Sequence, residues 1–336
     1  MSIDQLAETA QAMVAAGKGI IAIDESTNTI KKRFDSVGIE NSEENRRAYR
    51  EMLLTTPGLG EHISGAILYD ETLRQKTKAG VPFATVMAKA GIIAGIKVDK
   101  GPMPLAGFPG EVVTEGLDGL RDRLNEYARL GAKFAKWRAV ITIGDDMPSG
   151  TCIEANCHAL ARYAALCQEA GIVPMVEPEV LMDGDHDLEV CYEVTEATLR
   201  SLFASLYEHN VMLEGTILKA SMVISGKECA EQASVDEVAE ATIRCLKAAV
   251  PASLPGIVFL SGGQTDEQST AHLNAMNQMG PHPWPLSFSY GRAMQQAALK
   301  LWAKDMQANF AEAQKTVALR AKDNGLAALG QWKKVA

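Results

Sequence analysis

Short apolar runs recur along the chain, and between most of them apolar residues return at every third or fourth position instead. The first pattern reads as buried strand and the second as amphipathic helix. Strands are predicted over residues 19–24, 63–69, 91–98, 133–140, 172–177, 213–219, 256–261 and 285–289. Helices are predicted over 45–54, 115–130, 153–170, 198–209 and 235–250, with 292–324 mostly helical. An opening helix over 1–16 carries Ile3, Leu6, Ala10, Met13 and Val14 at helical spacing. Eight strands separated by helical stretches predict an α/β fold, a (β/α)8 TIM barrel. No Gly-x-Gly-x-x-Gly follows the first strand, which weakens a dinucleotide-binding sheet. With no composition break, residues 1–336 are expected to form one domain, with the 1–16 helix at its start and a helical tail over about 309–336.

Composition narrows the functional classes. The formal net charge of -9 argues against a general nucleic-acid or membrane surface, while leaving room for a local basic pocket. Every apolar stretch is shorter than the ~20 residues of a membrane span. The N-terminus, with Asp4 and Glu8, does not read as a secretory signal. Six cysteines without metal-type pairing suggest a reduced, cytoplasmic protein.

In such barrels the active site is built where the strands end. The predicted ends carry Asp24, Lys97, Lys136 with Arg138, Glu177 with Glu179, Lys219, Ser261 and Arg292. A charge at one strand end is ordinarily a solvated rim residue, but charges at nearly every end are harder to explain that way. A step of two puts Lys136 with Arg138, and Glu177 with Glu179, on one face each, here the barrel interior. Lys219, closing an apolar run, reads either as a lysine snorkelling out or as a desolvated nucleophile. At an unshifted pKa only about one lysine amine in 2,500 is neutral at pH 7, so a nucleophile needs burial or a second cation nearby. Lys136 is the expected cation, and Glu177 and Glu179 the acid and base of imine chemistry. Ser261-Gly262-Gly263 and Gly291-Arg292 follow the seventh and eighth strands, the usual phosphate site of this fold. Lys97, Arg138, Lys32 and Arg33 offer a second anion site, unless Lys32 and Arg33 form a solvated face.

A metal-using barrel finds its best support in Asp183-Gly184-Asp185-His186-Asp187, which begins like a calcium loop. Leu188 stands where that loop needs Gly and Val194 where it needs Glu, so neither metal nor cofactor is expected.

Taken together, Ile23-Asp24-Glu25-Ser26-Thr27, Gly95-Ile96-Lys97, Phe134-Ala135-Lys136-Trp137-Arg138, Val176-Glu177-Pro178-Glu179, Leu213 to Lys219, Phe259 to Gln264 and Phe288-Ser289-Tyr290-Gly291-Arg292 resemble class I fructose-bisphosphate aldolase. The resemblance runs from about Gly17 to about Gly330. It implies that Lys219 forms a Schiff base with a ketose carbonyl, that Glu177 handles its protons, and that Glu179 and Lys136 tune it. It further implies that Asp24 takes the C4 hydroxyl proton as the C3–C4 bond breaks. Ser261, Gly262, Gly263, Ser289, Gly291 and Arg292 are then expected around one phosphate of a sugar bisphosphate. Ser26, Thr29, Lys97 and Arg138 are expected around the other. A homotetramer is expected as well. Two departures stand out: no tyrosine follows Tyr290, where animal members use a tail tyrosine, and Thr29 replaces a common serine. The alternatives are a phosphate-free Schiff-base lyase, which would not need Arg292 and Lys97, and a non-catalytic scaffold, which would be expected to have lost a chemical residue.

Overall fold

The computed structural model describes residues 3–334. Eight parallel strands close into a barrel: β1 (Gly19–Ile23), β2 (Ile63–Leu68), β3 (Ile93–Lys97), β6 (Phe134–Ile141), β7 (Val173–Val180), β8 (Ile217–Ala220), β9 (Ile257–Phe259) and β10 (Leu286–Tyr290). The ring closes where Ile20 and Ile21 of β1 pair with Ser289 and Tyr290 of β10. The other two strands, β4 (Gly101–Pro104) and β5 (Val112–Glu115), form an antiparallel hairpin between β3 and β6 that periodicity did not reveal. Two prolines and a glycine within Gly101–Pro104 hide any alternation.

The outer layer is helical: α1 (Ile3–Met13), α2 (Thr27–Asp35), α3 (Glu43–Leu54), α4 (Asp70–Arg74), α5 (Phe83–Lys89), α6 (Leu120–Arg129), α7 (Gly150–Glu169), α8 (Leu188–Glu208), α9 (Val235–Ala249), α10 (Asp266–Gln278), α11 (Arg292–Trp302) and α12 (Phe310–Ala327). Their starts are written in the sequence. Ser42, Ser149 and Asp187 each accept a backbone N–H from three residues on, and Ser234 and Thr265 form capping boxes with Glu237 and Gln268.

Several boundaries move. The sixth strand begins only at Ile217, because Leu213–Gly215 curl into a single 3-10 turn. The helix expected over 115–130 starts at Leu120, since Val112–Glu115 belong to the hairpin. The helical tail expected over 309–336 stops at Ala327. Gly330 adopts a φ of +67°, Gln331 N–H returns to Leu326 O at 2.9 Å and Gly330 N–H to Ala327 O at 3.0 Å, a glycine-terminated helix end. Met1, Ser2, Val335 and Ala336 of the two predicted end segments lie outside the described residues.

The interior of the barrel is a separate core. Ile20, Ala22, Ile67, Phe134, Val173, Met175, Ile217 and Val258 point inward and meet Leu6, Ala10 and Met13 of α1 and Val14 just after it, which stop the lower end. Phe134 occupies the space left by two glycines. A Cβ on Gly95 would lie 2.2 Å from its ring, and one on Gly65 3.1 Å. The opposite faces of the strands join the helices in the larger outer core, where Ile21, Ile23, Ala135, Trp137, Val176 and Leu218 are buried.

Candidate active site

Above the apolar interior the same strand faces change character within one step of two. Ala22 is followed by Asp24, Gly95 by Lys97, Phe134 by Lys136 and Arg138, Met175 by Glu177 and Glu179, and Ile217 by Lys219. Lys219 and Lys136 are each 4 % exposed and Glu177 2 %. Charges this deeply buried persist only when paired. Glu177 Oε1 lies 2.9 Å from Lys219 Nζ, and Glu177 Oε2 lies 3.1 Å from Lys136 Nζ. Lys136 also reaches across the barrel, from β6 to the end of β1, where its Nζ meets Asp24 Oδ2 at 2.8 Å. The result is a line of alternating charge: Lys219, Glu177, Lys136, Asp24.

Burial pushes the Asp24 carboxyl towards its neutral form, but the ammonium groups of Lys136 and Lys219 outweigh it and hold the group well below the usual carboxylate range. The balance at Glu177 has the same origin: burial raises it, Lys136 and Lys219 lower it, and the net direction is down. Burial would strip the proton from Lys136, yet the carboxylates of Asp24, Glu177 and Asp99 hold that ammonium more firmly than in water. Lys136 is therefore a fixed cation and Asp24 a fixed anion at neutral pH.

The line sits in a cavity of about 400 Å³. Its lining takes Ser261, Gly262, Ser289, Gly291 and Arg292 from the ends of β9 and β10, Ser26, Thr29 and Arg33 from the segment after β1, and Lys97 and Arg138 from β3 and β6; Arg33 stands beside Gly291, 3.8 Å from where its Cβ would be. Every residue singled out from the sequence lines this cavity except Gly263, which stands in the turn behind Gly262, and Lys32, which is exposed outside it. Gly262 and Gly263 have φ of +44° and +85°, a succession that residues with a side chain adopt at a cost. Ser26 caps α2, accepting the Thr29 N–H at 3.4 Å, so the cap turns a hydroxyl and a helix start towards the cavity. Lys97 pairs with Asp99 at 3.1 Å, and Arg138 with Glu179. Arg292 makes no ion pair among the described residues, and the buried Ser289 Oγ has no hydrogen-bond partner there. Cationic side chains outnumber carboxylates seven to five around this cavity, in a chain whose net charge is -9. The expected basic pocket within an acidic protein is present.

One support escaped the sequence reading. Glu25 is buried beside Asp24, where it pairs with Arg33 and, at 2.6 Å, with Arg50 of α3. Gln295 of α11 donates to Glu25 Oε1 at 3.3 Å, to Ala22 O at 2.6 Å and to Gly291 O at 3.2 Å. This network ties the end of β1 to α3 and to the turn carrying Arg292. A second carboxylate directly after a strand-end carboxylate was the available signal, but its partners lie 25 and 270 residues away.

The acidic run at 183–187 is otherwise engaged. Asp183 pairs with Lys227 at 2.7 Å, and Asp187 caps α8 by accepting the Val190 N–H at 2.9 Å. Among the described residues no three of His, Cys, Asp and Glu are placed to share a metal ion. No helix there is long and apolar enough to cross a membrane.

Comparison with known proteins bears on this geometry directly. The profile of the family described as "Fructose-bisphosphate aldolase class-I" matches residues 5–336. The chain belongs to the class I fructose-bisphosphate aldolase family. Within it, the chain is 80% identical over 333 residues to a "Probable fructose-bisphosphate aldolase class 1" of Xanthomonas campestris pv. campestris, covering 99% of this chain and 100% of the relative. It is 53% identical over 330 residues to fructose-bisphosphate aldolase 1 of Toxoplasma gondii, covering 98% and 91%. Among solved structures, the fructose-bisphosphate aldolase of Plasmodium falciparum, crystallised with TRAP and a small-molecule inhibitor, superposes with a TM-score of 0.97 at 48% identity, covering 99% of this chain and 96% of that one. Class I aldolases are aldehyde-lyases, and their barrel is the one found here.

Proposed function

We propose that the chain catalyses the reversible cleavage of fructose 1,6-bisphosphate to dihydroxyacetone phosphate and glyceraldehyde 3-phosphate, with Lys219 as the nucleophile. The observation that carries this reading is the buried line Lys219, Glu177, Lys136, Asp24, lying in one cavity whose lining also supplies the hydroxyls, glycine turn and cations suited to anions.

Imine formation requires a Lys219 amine without its extra proton, and Glu177 Oε1 is the acceptor within reach. The amine adds to the ketose carbonyl; Glu177 returns a proton to the carbinolamine oxygen, water leaves, and a positively charged imine remains. Asp24, held ionised by Lys136, accepts the C4 hydroxyl proton as the C3–C4 bond breaks. The bonding pair moves into the imine, giving a neutral enamine, and the C4 fragment departs as the aldehyde. Protonation at C3 and addition of water release dihydroxyacetone phosphate and restore Lys219. In this sequence the iminium nitrogen is the electron sink. Lys136 stays protonated throughout, stabilising Asp24 and Glu177 as charge shifts between them. Glu179 holds Arg138 against the cavity and, through that arginine, steadies one of its anion-binding groups.

Ser261, Gly262, Ser289, Gly291 and Arg292 take the phosphate nearer the ketone, and Ser26, Thr29, Lys97 and Arg138 the distal one. An excess of cations over carboxylates around one cavity, drawn from several strand ends, supports a bisphosphate over a monophosphate. A cytoplasmic homotetramer with a role in glycolysis completes the proposal on the strength of the family resemblance, and sedimentation equilibrium checks the tetramer. The chemical test is borohydride trapping with dihydroxyacetone phosphate in excess EDTA, read by peptide mass spectrometry. A reduced adduct on Lys219 is expected; an adduct on another lysine, or none at all, rules the assignment out.

A further inference from the structure

The strand ends account for most of the cavity's charges, but two cations that line it belong to no strand and have no part in the mechanism above; Arg33 is held by the buried Glu25, which leaves Lys227. Lys227 lies in the segment 221–234 between β8 and α9 and lines the cavity. Its backbone is pinned: Lys227 N–H donates to Met182 O at 2.8 Å, and its neighbours Gly226 and Glu228 donate to His186 O at 2.8 Å and Gly184 O at 2.9 Å. The approach is close enough that a Cβ on Gly226 would lie 2.3 Å from Gly184 O. The side chain then runs over the glycine turn. A Cβ on Gly263 would meet Lys227 Cε at 2.8 Å and Nζ at 3.1 Å, so the missing side chain is what lets the ammonium lie there. Its only ion pair among the described residues is with Asp183 at 2.7 Å, with side chains 43% and 61% exposed. An exposed pair of this kind is worth little and exchanges readily.

We propose that Lys227 is a substrate-binding residue, delivered from the rim to the phosphoryl group that the Ser261-Gly262-Gly263 turn and Arg292 receive, with Asp183 as the competing anion that holds it in the empty site. The inference rests on the aldolase reading above and adds to it the group that closes the phosphate site from outside. Arg292 and the turn approach from β10 and β9, and Lys227 approaches over the turn from the loop after β8. The ligand class is a phosphate monoester on the carbon next to the ketone.

The test compares Lys227→Met, Lys227→Arg and Asp183→Asn in borohydride trapping against graded dihydroxyacetone phosphate and against unphosphorylated dihydroxyacetone. Loss of one charge-assisted contact raises the half-saturating concentration of the phosphorylated ketone about tenfold in Lys227→Met and leaves that of dihydroxyacetone unchanged. Lys227→Arg restores most of the affinity. Asp183→Asn frees the ammonium and lowers the half-saturating concentration by about twofold. In steady state KM for the bisphosphate follows the same order, with kcat nearly constant. A purely structural brace between the two loops behaves otherwise: breaking it from either side moves both variants in the same direction, and that result overturns the inference. Equal effects on the two ketones, or no effect of Lys227→Met, overturn it as well. Absence of any adduct in the wild-type protein overturns the aldolase reading itself, so the two failures are distinguishable.

Discussion

The lower and upper halves of the barrel interior are built from the same strands and the same strand faces, yet one is an apolar plug and the other a chain of ions. Ile217 and Lys219 are two residues apart on β8, Met175 and Glu177 on β7, and Phe134 and Lys136 on β6. Below, Phe134 fills the volume left by Gly65 and Gly95, and the cluster around it is apolar and uncharged. Above, each buried charge has an opposite charge within about 3 Å. The difference teaches that rigidity and reactivity are supplied by adjacent layers of one wall. The apolar layer fixes the backbone, and the next inward position on each strand inherits that precision.

Substitutions at the two levels should therefore fail in different ways. Lys219→Met is expected to lower kcat by more than about a thousandfold and to abolish borohydride trapping, with the urea unfolding midpoint almost unchanged. A large loss of stability there would erase the distinction between the layers. Phe134→Ala should do the reverse, costing about 3–5 kcal/mol in urea unfolding because the pocket bounded by two glycines cannot refill, while the folded fraction keeps its KM. If kcat per folded molecule fell as far as in Lys219→Met, the lower layer would be part of the chemistry.

His272 of α10 sharpens the comparison by showing burial without a counter-ion. Its Nδ1 lies 2.7 Å from Gln264 Oε1, and burial pushes the imidazole down from its ordinary 6.5 to about 4. The folded form refuses a proton that the unfolded chain binds, so stability falls as pH drops from about 6.5 to about 4, by roughly 3 kcal/mol in all. Urea midpoints across that interval should slope in the wild type and flatten in His272→Gln. The smallest effect is expected at Thr265→Ala, which removes a capping box at the start of α10. It should cost about 1 kcal/mol by thermal or urea unfolding and leave kcat unchanged.

How far the sequence reveals this arrangement depends on the range of the interaction. Barrel strands and their terminal charges were legible because alternation is local: once Phe134 faces inward, Lys136 and Arg138 must do so too. The members of the buried ionic line could be named residue by residue, but not the bridge from Lys136 to Asp24, which joins positions 24 and 136 across the barrel. The Glu25, Arg50 and Gln295 network and the seat of Lys227 beside Asp183 were illegible for the same reason, since each depends on segments that meet only once the ring has closed. The β4–β5 hairpin and the early end of the C-terminal helix were missed for a local reason. Proline and glycine set those backbone angles, and hydrophobic period does not report them.

The stopper formed by α1 and the residue that follows it turns the barrel from a tunnel into a blind well. Leu6, Ala10, Met13 and Val14 close it from beneath, so whatever reaches Lys219 comes through the mouth and must go back the same way. Traffic through a single door has an order. On the mechanism proposed above, the fragment tethered to Lys219 lies beneath the other, so the free aldehyde leaves first and the tethered half last. In the direction of synthesis the sequence of arrivals is reversed.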